Sequence, residues 1–288
     1  MYKRGDKMKL LLMPKSILQI KETSEVIDGY IIGITGLSTN MPAYFSLDEL
    51  KEILKITNKE VFVSLNKNMH SSDLINLKET LKELEKLNIE GILYYDVSIV
   101  NIKQELSLKK SLVWNAEHLV TNSLSINFWC EEGISYAFLS SDITKDEIIK
   151  IKEKVNIPLM MNIFGYIPIF TSYRHLVKNY LKTFALKDNS IINYILKENK
   201  KYPVVDYENT TVYSNNILNA SLDLNDINIE YGVINSFNID DEIIIEIIKL
   251  FKELNSSNKE EITKKINSYF NNIDDGFLNK ETIYKVIK

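Results

Sequence analysis

For chemistry, this sequence has three histidines, one cysteine and a set of amides, hydroxyls and carboxylates placed just after apolar runs. Asn66 follows Glu60-Val-Phe-Val-Ser-Leu65, and Asp96 follows Gly91-Ile-Leu-Tyr-Tyr95. Glu117, His118 and Asn122 follow Ser111-Leu-Val-Trp-Asn115, Ser140, Ser141 and Asp142 follow Ser135-Tyr-Ala-Phe-Leu139, and Asn162 lies within Pro158-Leu-Met-Met-Asn-Ile163. Such groups gathered round one opening can bind a small polar ligand. The competing reading is local: strand ends need capping groups, and Asp96 before an apolar helical stretch is a natural N-cap. His70, His118 and His175 form no His-Glu-x-x-His and no His-x-His pair, so a metal site would need scattered residues. Cys130, beside Trp129 on a helical stretch, lacks the histidine that activates a thiol and reads as buried core filler. Glu117 and His118 can act as an acid–base pair only if the strand has ended, because strand neighbours point to opposite faces. Gly33-Ile-Thr-Gly36 lacks the third glycine and the helix start of a dinucleotide fingerprint, and reads as a turn.

The elements that must position these residues are short apolar runs alternating with amphipathic helical stretches. Lys9–Met13, Gly29–Ile34 and Glu60–Leu65 read as buried strands, with a helical stretch from Ser16 to Ile27 after the first. Ser46 with Glu49 forms a capping box for a helix carrying Leu47, Leu50, Ile53 and Leu54. Ser72-Asp73 opens another, with Leu74, Leu77, Leu81, Leu84 and Leu87 on one face at the helical period. Strands at 91–95, 111–115, 135–139 and 158–163 follow, separated by helices ending near Gly133 and Val155. Continuously apolar strands covered by helices suit a parallel sheet, and seven β-α steps in 165 residues favour closure into a barrel. The eighth strand, Gly232-Val-Ile-Asn-Ser236, comes late, followed by the apolar helix Ile243 to Leu254. The sequence thus predicts an α/β fold: an interrupted (β/α)8 TIM-like barrel over 1–254 with a helix-plus-hairpin insertion at 165–229 before the last strand. Within that insertion, Leu176 to Asn199 reads as helix, and Tyr202–Asp206 with Thr210–Tyr213 as a hairpin. Residues 255–288 form a C-terminal extension packed on the barrel.

Composition narrows the function classes. There are 35 Lys+Arg against 39 Asp+Glu, a net charge of −4, where a chain that grips nucleic-acid backbone usually has a basic excess or stripe. RNA contact is therefore expected only through a partner. A single cysteine excludes a disulfide framework and any all-cysteine metal or cluster site within this chain. With only 9 glycines, little material exists for phosphate-cradling loops. No apolar run reaches membrane-spanning length, and the apolar part of the N-terminus is too short for a signal peptide, so the cytoplasm is expected. Translation from Met1 and from Met8 are both compatible with the sequence.

At the seventh strand a family pattern enters. Ile163-Phe-Gly-Tyr-Ile-Pro-Ile-Phe-Thr-Ser-Tyr-Arg-His-Leu-Val-Lys-Asn-Tyr180 resembles the His-Gly-x-x-Cys then Ser-x-Arg-Cys motif of the collagenase-like peptidase family U32. Thr121-Asn122, Lys201-Tyr-Pro-Val-Val-Asp206 and Asp275-Gly-Phe-Leu-Asn-Lys-Glu-Thr-Ile-Tyr-Lys-Val286 resemble further stretches of it in order and spacing, the last being similar to its short bacterial branch. Gly165, Ser172, Arg174, Asn179 and Tyr180 keep the pattern. Phe164 stands at the motif's histidine, Pro168 and His175 stand at its two cysteines, and Lys187 to Lys200 has no cysteine.

The resemblance implies a barrel scaffold and an activity for which the family has two traditions. The family was named for presumed proteolysis, whereas characterised relatives support hydroxylation of RNA bases, notably the tRNA wobble uridine, or of quinone rings. The RNA cases use paired unlike subunits, with prephenate as oxygen source. A cysteine-poor chain resembles the smaller, cluster-free subunit, itself holding no cofactor, with a longer cluster-bearing paralogue doing the redox chemistry. On this reading Asn66, Asp96, Glu117 and Asn122 line the barrel mouth, and Arg174 holds a phosphate or carboxylate, since guanidinium forms a bidentate fork. The rival for Arg174 is a salt bridge tying the insertion to the barrel. The rival functions are a true hydrolase and a degenerate, non-catalytic ligand-binding barrel.

Overall fold

The computed structural model describes residues 7–188 and 190–280, so Glu281–Val286 of the family-like ending and the first six residues lie outside the described residues. The strands are β1 (Lys9–Met13), β2 (Gly29–Ile34), β3 (Tyr44–Phe45), β4 (Glu60–Leu65), β5 (Gly91–Tyr94), β6 (Ser111–Trp114) and β7 (Tyr136–Phe138). Then come β8 (Leu159–Ser172), β9 (Ile192–Lys197), β10 (Lys200–Asp206), β11 (Thr210–Asn219), β12 (Tyr231–Asn235) and β13 (Ile273–Asp274). The helices are α1 (Ile17–Thr23), α2 (Leu47–Ile56), α3 (Leu74–Glu85), α4 (Ser98–Glu105) and α5 (Ser123–Glu131). They continue as α6 (Lys145–Lys154), α7 (Leu176–Thr183), α8 (Leu224–Ile227), α9 (Asp241–Glu253) and α10 (Lys259–Asn267).

Eight strands, β1, β2, β4, β5, β6, β7, β8 and β12, pair in parallel, and β12 bonds both β8 and β1, closing the ring. The fold is the expected TIM-like barrel, with helices between the strands. Alternation along each strand splits the core in two, as a packed barrel requires. Leu11, Ile31, Phe62, Leu93, Val113 and Met160 fill the interior, whereas Leu10, Leu12, Ile32, Val63 and Ile92 pack outward against the helices. Near the N-terminal strand ends, Phe62, Tyr136 and Tyr231 meet edge to face at 5.5–6.0 Å and plug the floor. The expected capping box at Ser46 and Glu49 is formed, and Thr144 with Glu147 forms a second at α6.

The insertion departs from expectation in one respect. The stretch 176–199 is not one helix: α7 stops at Thr183, and β9 and β10 make an antiparallel hairpin. Glu198 and Asn199 both have positive φ, 51° and 61°, the turn that a two-residue hairpin connection needs. The expected hairpin of β10 and β11 is present. The seventh barrel strand is longer than its apolar run suggests. β8 leaves the barrel after Phe164 and continues to Ser172 as the antiparallel partner of β11. Gly165, at φ 115°, permits the exit, since a Cβ there would lie 2.3 Å from the Asn235 carbonyl oxygen. Beyond α9, α10 packs beside it, and β13 pairs with β11.

Candidate functional site

With the floor plugged, the barrel's open space lies at the C-terminal strand ends. A cavity of about 470 Å³ opens there, walled by residues from the ends of several strands and by the outgoing part of β8. β1 contributes Met13, β12 contributes Asn235, and the chain after β4 contributes Asn66. Asn115, Glu117 and His118 come from the end of β6, Ser140, Ser141 and Asp142 from after β7, and Asn162 from within β8. Pro168 and Thr171 belong to the wall that β8 builds over the mouth.

Glu117 is the acid of this cavity whose proton affinity is altered. It begins a 3-10 turn, Glu117–Leu119, at φ 45°, so the β6 strand has ended and Glu117 and His118 are no longer strand neighbours on opposite faces. Withdrawal from water pushes its carboxyl above the usual carboxylate range. Asp142 adds to the rise, while the Asn40 hydrogen bond and His118 oppose it. Asn40 Nδ2 donates to Glu117 Oε1 at 2.6 Å. The Asn40 carbonyl-type Oδ1 accepts from Thr171 Oγ1 at 2.6 Å and Thr211 Oγ1 at 3.2 Å. One asparagine in the left-handed region (φ 60°) therefore couples the acid to the two strands of the insertion.

The amides round the cavity are partly used. Asn66 Oδ1 accepts from the Thr39 N–H at 3.0 Å, Asn235 Oδ1 from the Phe237 N–H at 2.9 Å, and Asn162 Nδ2 donates to Ser141 Oγ at 3.0 Å. The Asn115 side chain, buried, has no hydrogen-bond partner among the described residues. Spare donors and acceptors thus remain on several sides, and among the described residues no lysine or arginine lines the space. The arrangement suits a neutral ligand rich in hydrogen-bonding edges, with Glu117 able to give or take a proton. A dicarboxylate would meet no lysine or arginine in it among the described residues.

Of the expected site residues, the structure brings Asn66, Glu117, His118, Ser140, Ser141, Asp142, Asn162 and Pro168 together here, and it places Asp96, Asn122, Arg174 and the rest of the motif remnant elsewhere. Asp96 is spent on nearby backbone without being the N-cap, which is Val97: Oδ1 accepts from the Ser98 N–H and Oδ2 from the Met69 N–H, each at 2.9 Å. Asn122 caps α5 through the Ser125 N–H. Phe164 is fully buried beside Phe251 and Phe270, and Gly165 is the exit hinge. Ser172 Oγ accepts from the Arg174 N–H, and His175 Nδ1 lies 2.8 Å from Asp206 Oδ1 at the start of α7. Arg174 is exposed, and its guanidinium has no ion-pair or hydrogen-bond partner among the described residues, so the rival reading of a salt bridge to the barrel is not formed. Asn40 and Asn235 escaped sequence reasoning. Asn235 is the last residue of an apolar strand, the signal that exposed Asn66; Asn40 lies in a loop and has no local signal.

The iron–sulfur cluster of cysteine-bearing members needs about four thiolates. Pro168 and His175 occupy two of the ligand positions, and the one thiol, Cys130, lies half-buried on α5 against the outer core, not fully buried as expected. Burial pushes that thiol up, away from a reactive thiolate. This donor set does not fit a cluster.

A model of Peptidase family U32 matches residues 22–282. The chain belongs to Peptidase family U32. The tRNA hydroxylation protein P2 of Bacillus subtilis (strain 168) is 25% identical over 309 aligned positions, covering 96% of this chain and 99% of that protein. The tRNA hydroxylation protein P1 of the same organism is 26% identical over 140 residues, 48% of this chain and 33% of that longer protein. Two solved structures share the fold: the U32 peptidase Mk0906 (TM-score 0.52, 15% identity, 81% of this chain and 94% of that one) and a dihydrodipicolinate synthase family protein from Coccidioides immitis (TM-score 0.52, 8% identity, 92% and 79%). No described helix is long and apolar enough to cross a membrane.

Proposed function

We propose that this U32 chain is the cluster-free subunit of an assembly that hydroxylates a tRNA uridine, at C5 of the wobble base, together with a longer cluster-bearing relative. The observation that carries this reading is the end-to-end match to the tRNA hydroxylation protein P2, 96% of one chain on 99% of the other. The partial match to P1 supports a pair of unlike paralogues. With one cysteine in the chain, the redox chemistry belongs to the partner, and this chain contributes its amide-lined cavity and Glu117. A small carboxylate such as prephenate finds no lysine or arginine in that cavity among the described residues, so its place on this reading is the partner's barrel. A peptidase reading has less support. Ser140 Oγ accepts from the Asp142 N–H and Ser141 Oγ from Asn162 Nδ2, and neither serine is bonded to His118 among the described residues.

The test is deletion of the gene followed by mass spectrometry of tRNA nucleosides. Hydroxylated wobble uridine is expected to disappear and to return with the intact gene, and a tagged chain is expected to co-purify with a cysteine-rich U32 protein. Unaltered wobble uridine together with no such partner would sink the proposal.

A further inference from the structure

The insertion carries charge of the opposite sign to the rest of the molecule. Residues 173–201 hold seven cations and two anions, a net +5 inside a chain of net −4, so everything outside them sums to −9. Arg174 just before α7, Lys178 and Lys182 along it and Lys187 just past it are exposed. Lys197, Lys200 and Lys201 are exposed at the tip of the β9–β10 hairpin. None of the seven has an ion-pair partner among the described residues, whereas lysines elsewhere, such as Lys67, Lys78 and Lys145, do.

Two placements are repulsive unless an anion answers them. Arg174, Lys178 and Lys182 recur every four residues, so the two lysines stack one turn apart on one stripe of α7, and like charges at that spacing disfavour a helix. Lys197 stands directly opposite Lys200 in the antiparallel register, where like charges are again unfavourable. Between the cations stand exposed aromatic rings. Tyr180 and Phe184 lie 4.8 Å apart on α7, at 57% and 60% exposure, and Tyr194 is 52% exposed on β9. Cations without partners beside open ring faces are what a single-stranded polyanion with stackable bases requires. A protein partner would favour the exposed Leu186, Ile191 and Leu196, but gives no reason for five net charges.

We infer that the insertion, through α7 and the β9–β10 hairpin, is an RNA-binding surface of this chain itself, its cations on phosphates and its rings against unpaired bases. The inference rests on the tRNA reading only for the identity of the RNA. It places RNA contact in this subunit, where net charge alone argued for contact through a partner.

The experiment uses the full chain and an in-vitro-transcribed tRNA with an unmodified wobble uridine, titrated by fluorescence anisotropy between about 50 and 200 mM salt. Binding is expected to weaken steeply with salt. The triple variant Arg174→Glu/Lys178→Glu/Lys182→Glu should lose about tenfold or more in affinity and lower the log–log salt slope by about two. Lys197→Glu/Lys200→Glu should act in the same direction, and Lys78→Glu/Lys86→Glu on α3 should change nothing. Circular dichroism confirms that each variant is folded. No binding by the unmodified chain at the lowest salt overturns the inference. So does unchanged affinity in the triple variant, including the case where that variant instead loses a co-purifying U32 partner. Loss of affinity alongside unaltered wobble uridine in the deletion strain keeps the RNA surface and sinks hydroxylation; unaltered affinity with hydroxylation lost does the reverse.

Discussion

Glu117 is held in a left-handed turn, largely withdrawn from water, with a single amide donor on its carboxylate. Because burial raises its carboxyl, the folded chain binds a proton there more tightly than the unfolded chain does. Stability from this group is therefore greatest at low pH and falls as pH climbs from the unfolded value, about 4.3, through the raised folded one. Glu117→Gln is expected to close that gap: its denaturation midpoint relative to the parent should rise across the window and level off above it. A pH-independent difference would show that the carboxyl titrates normally. Asn40→Gly, which keeps the left-handed backbone but deletes the amide, should cost about 1–3 kcal/mol in urea unfolding, since Glu117, Thr171 and Thr211 all lose a partner.

At the scale of elements, the site depends on β8 leaving the barrel at one residue. Gly165→Ala puts a Cβ against the Asn235 backbone at positive φ, so a loss of at least about 1–3 kcal/mol is expected, with cavity ligands weakened because Asn235 lines the wall. The insertion is clamped by Tyr213, stacked on Phe237 with centroids 3.8 Å apart, and its buried hydroxyl has no hydrogen-bond partner among the described residues. Removing only that hydroxyl should be harmless: Tyr213→Phe is expected within about 1 kcal/mol of the parent or above it, whereas Tyr213→Ala should cost about 3–5 kcal/mol. Calorimetry on the pair decides. Equal losses would mean that the hydroxyl, and not the stacked ring, holds the clamp.

For the whole molecule, the contrast lies between a closed, doubly packed barrel and an insertion whose outer parts bury little. α7 has no fully buried residue, and the last four residues of β9 are exposed, while every residue of β2 is buried. Hydrogen exchange should therefore run fastest in β9 and the tip of β10, whose local opening exposes little apolar surface, and slowest in the buried strands β2 and β4. Comparable protection of β9 and β2 in the isolated chain would contradict this.

The barrel was legible because its cause is local. Continuously apolar strands, leucines at helical spacing and the Ser46–Glu49 box each act within a few residues, and their repetition leaves closure as the way to bury both strand faces. The 176–199 stretch was misread for the same reason. Its apolar spacing continues past Thr183, but a two-residue turn at Glu198-Asn199 turns the later part into a strand that pairs with β10. The cavity is half legible: Asn66 and Glu117 stand after strands, but Asp96 and Asn122 share that position and are drawn to backbone N–H groups, Asn122 as the cap of α5 and Asp96 to Ser98 and Met69. Sequence fixes which groups reach the strand ends. Whether a group turns inward to a ligand or sideways to the nearest unpaired N–H depends on neighbours distant in the chain, as Asn40, Thr171 and Thr211 are from Glu117, and only folding brings them together. Charge follows the same division: the composition determines −4, and the three-dimensional structure decides which cations stay unpaired.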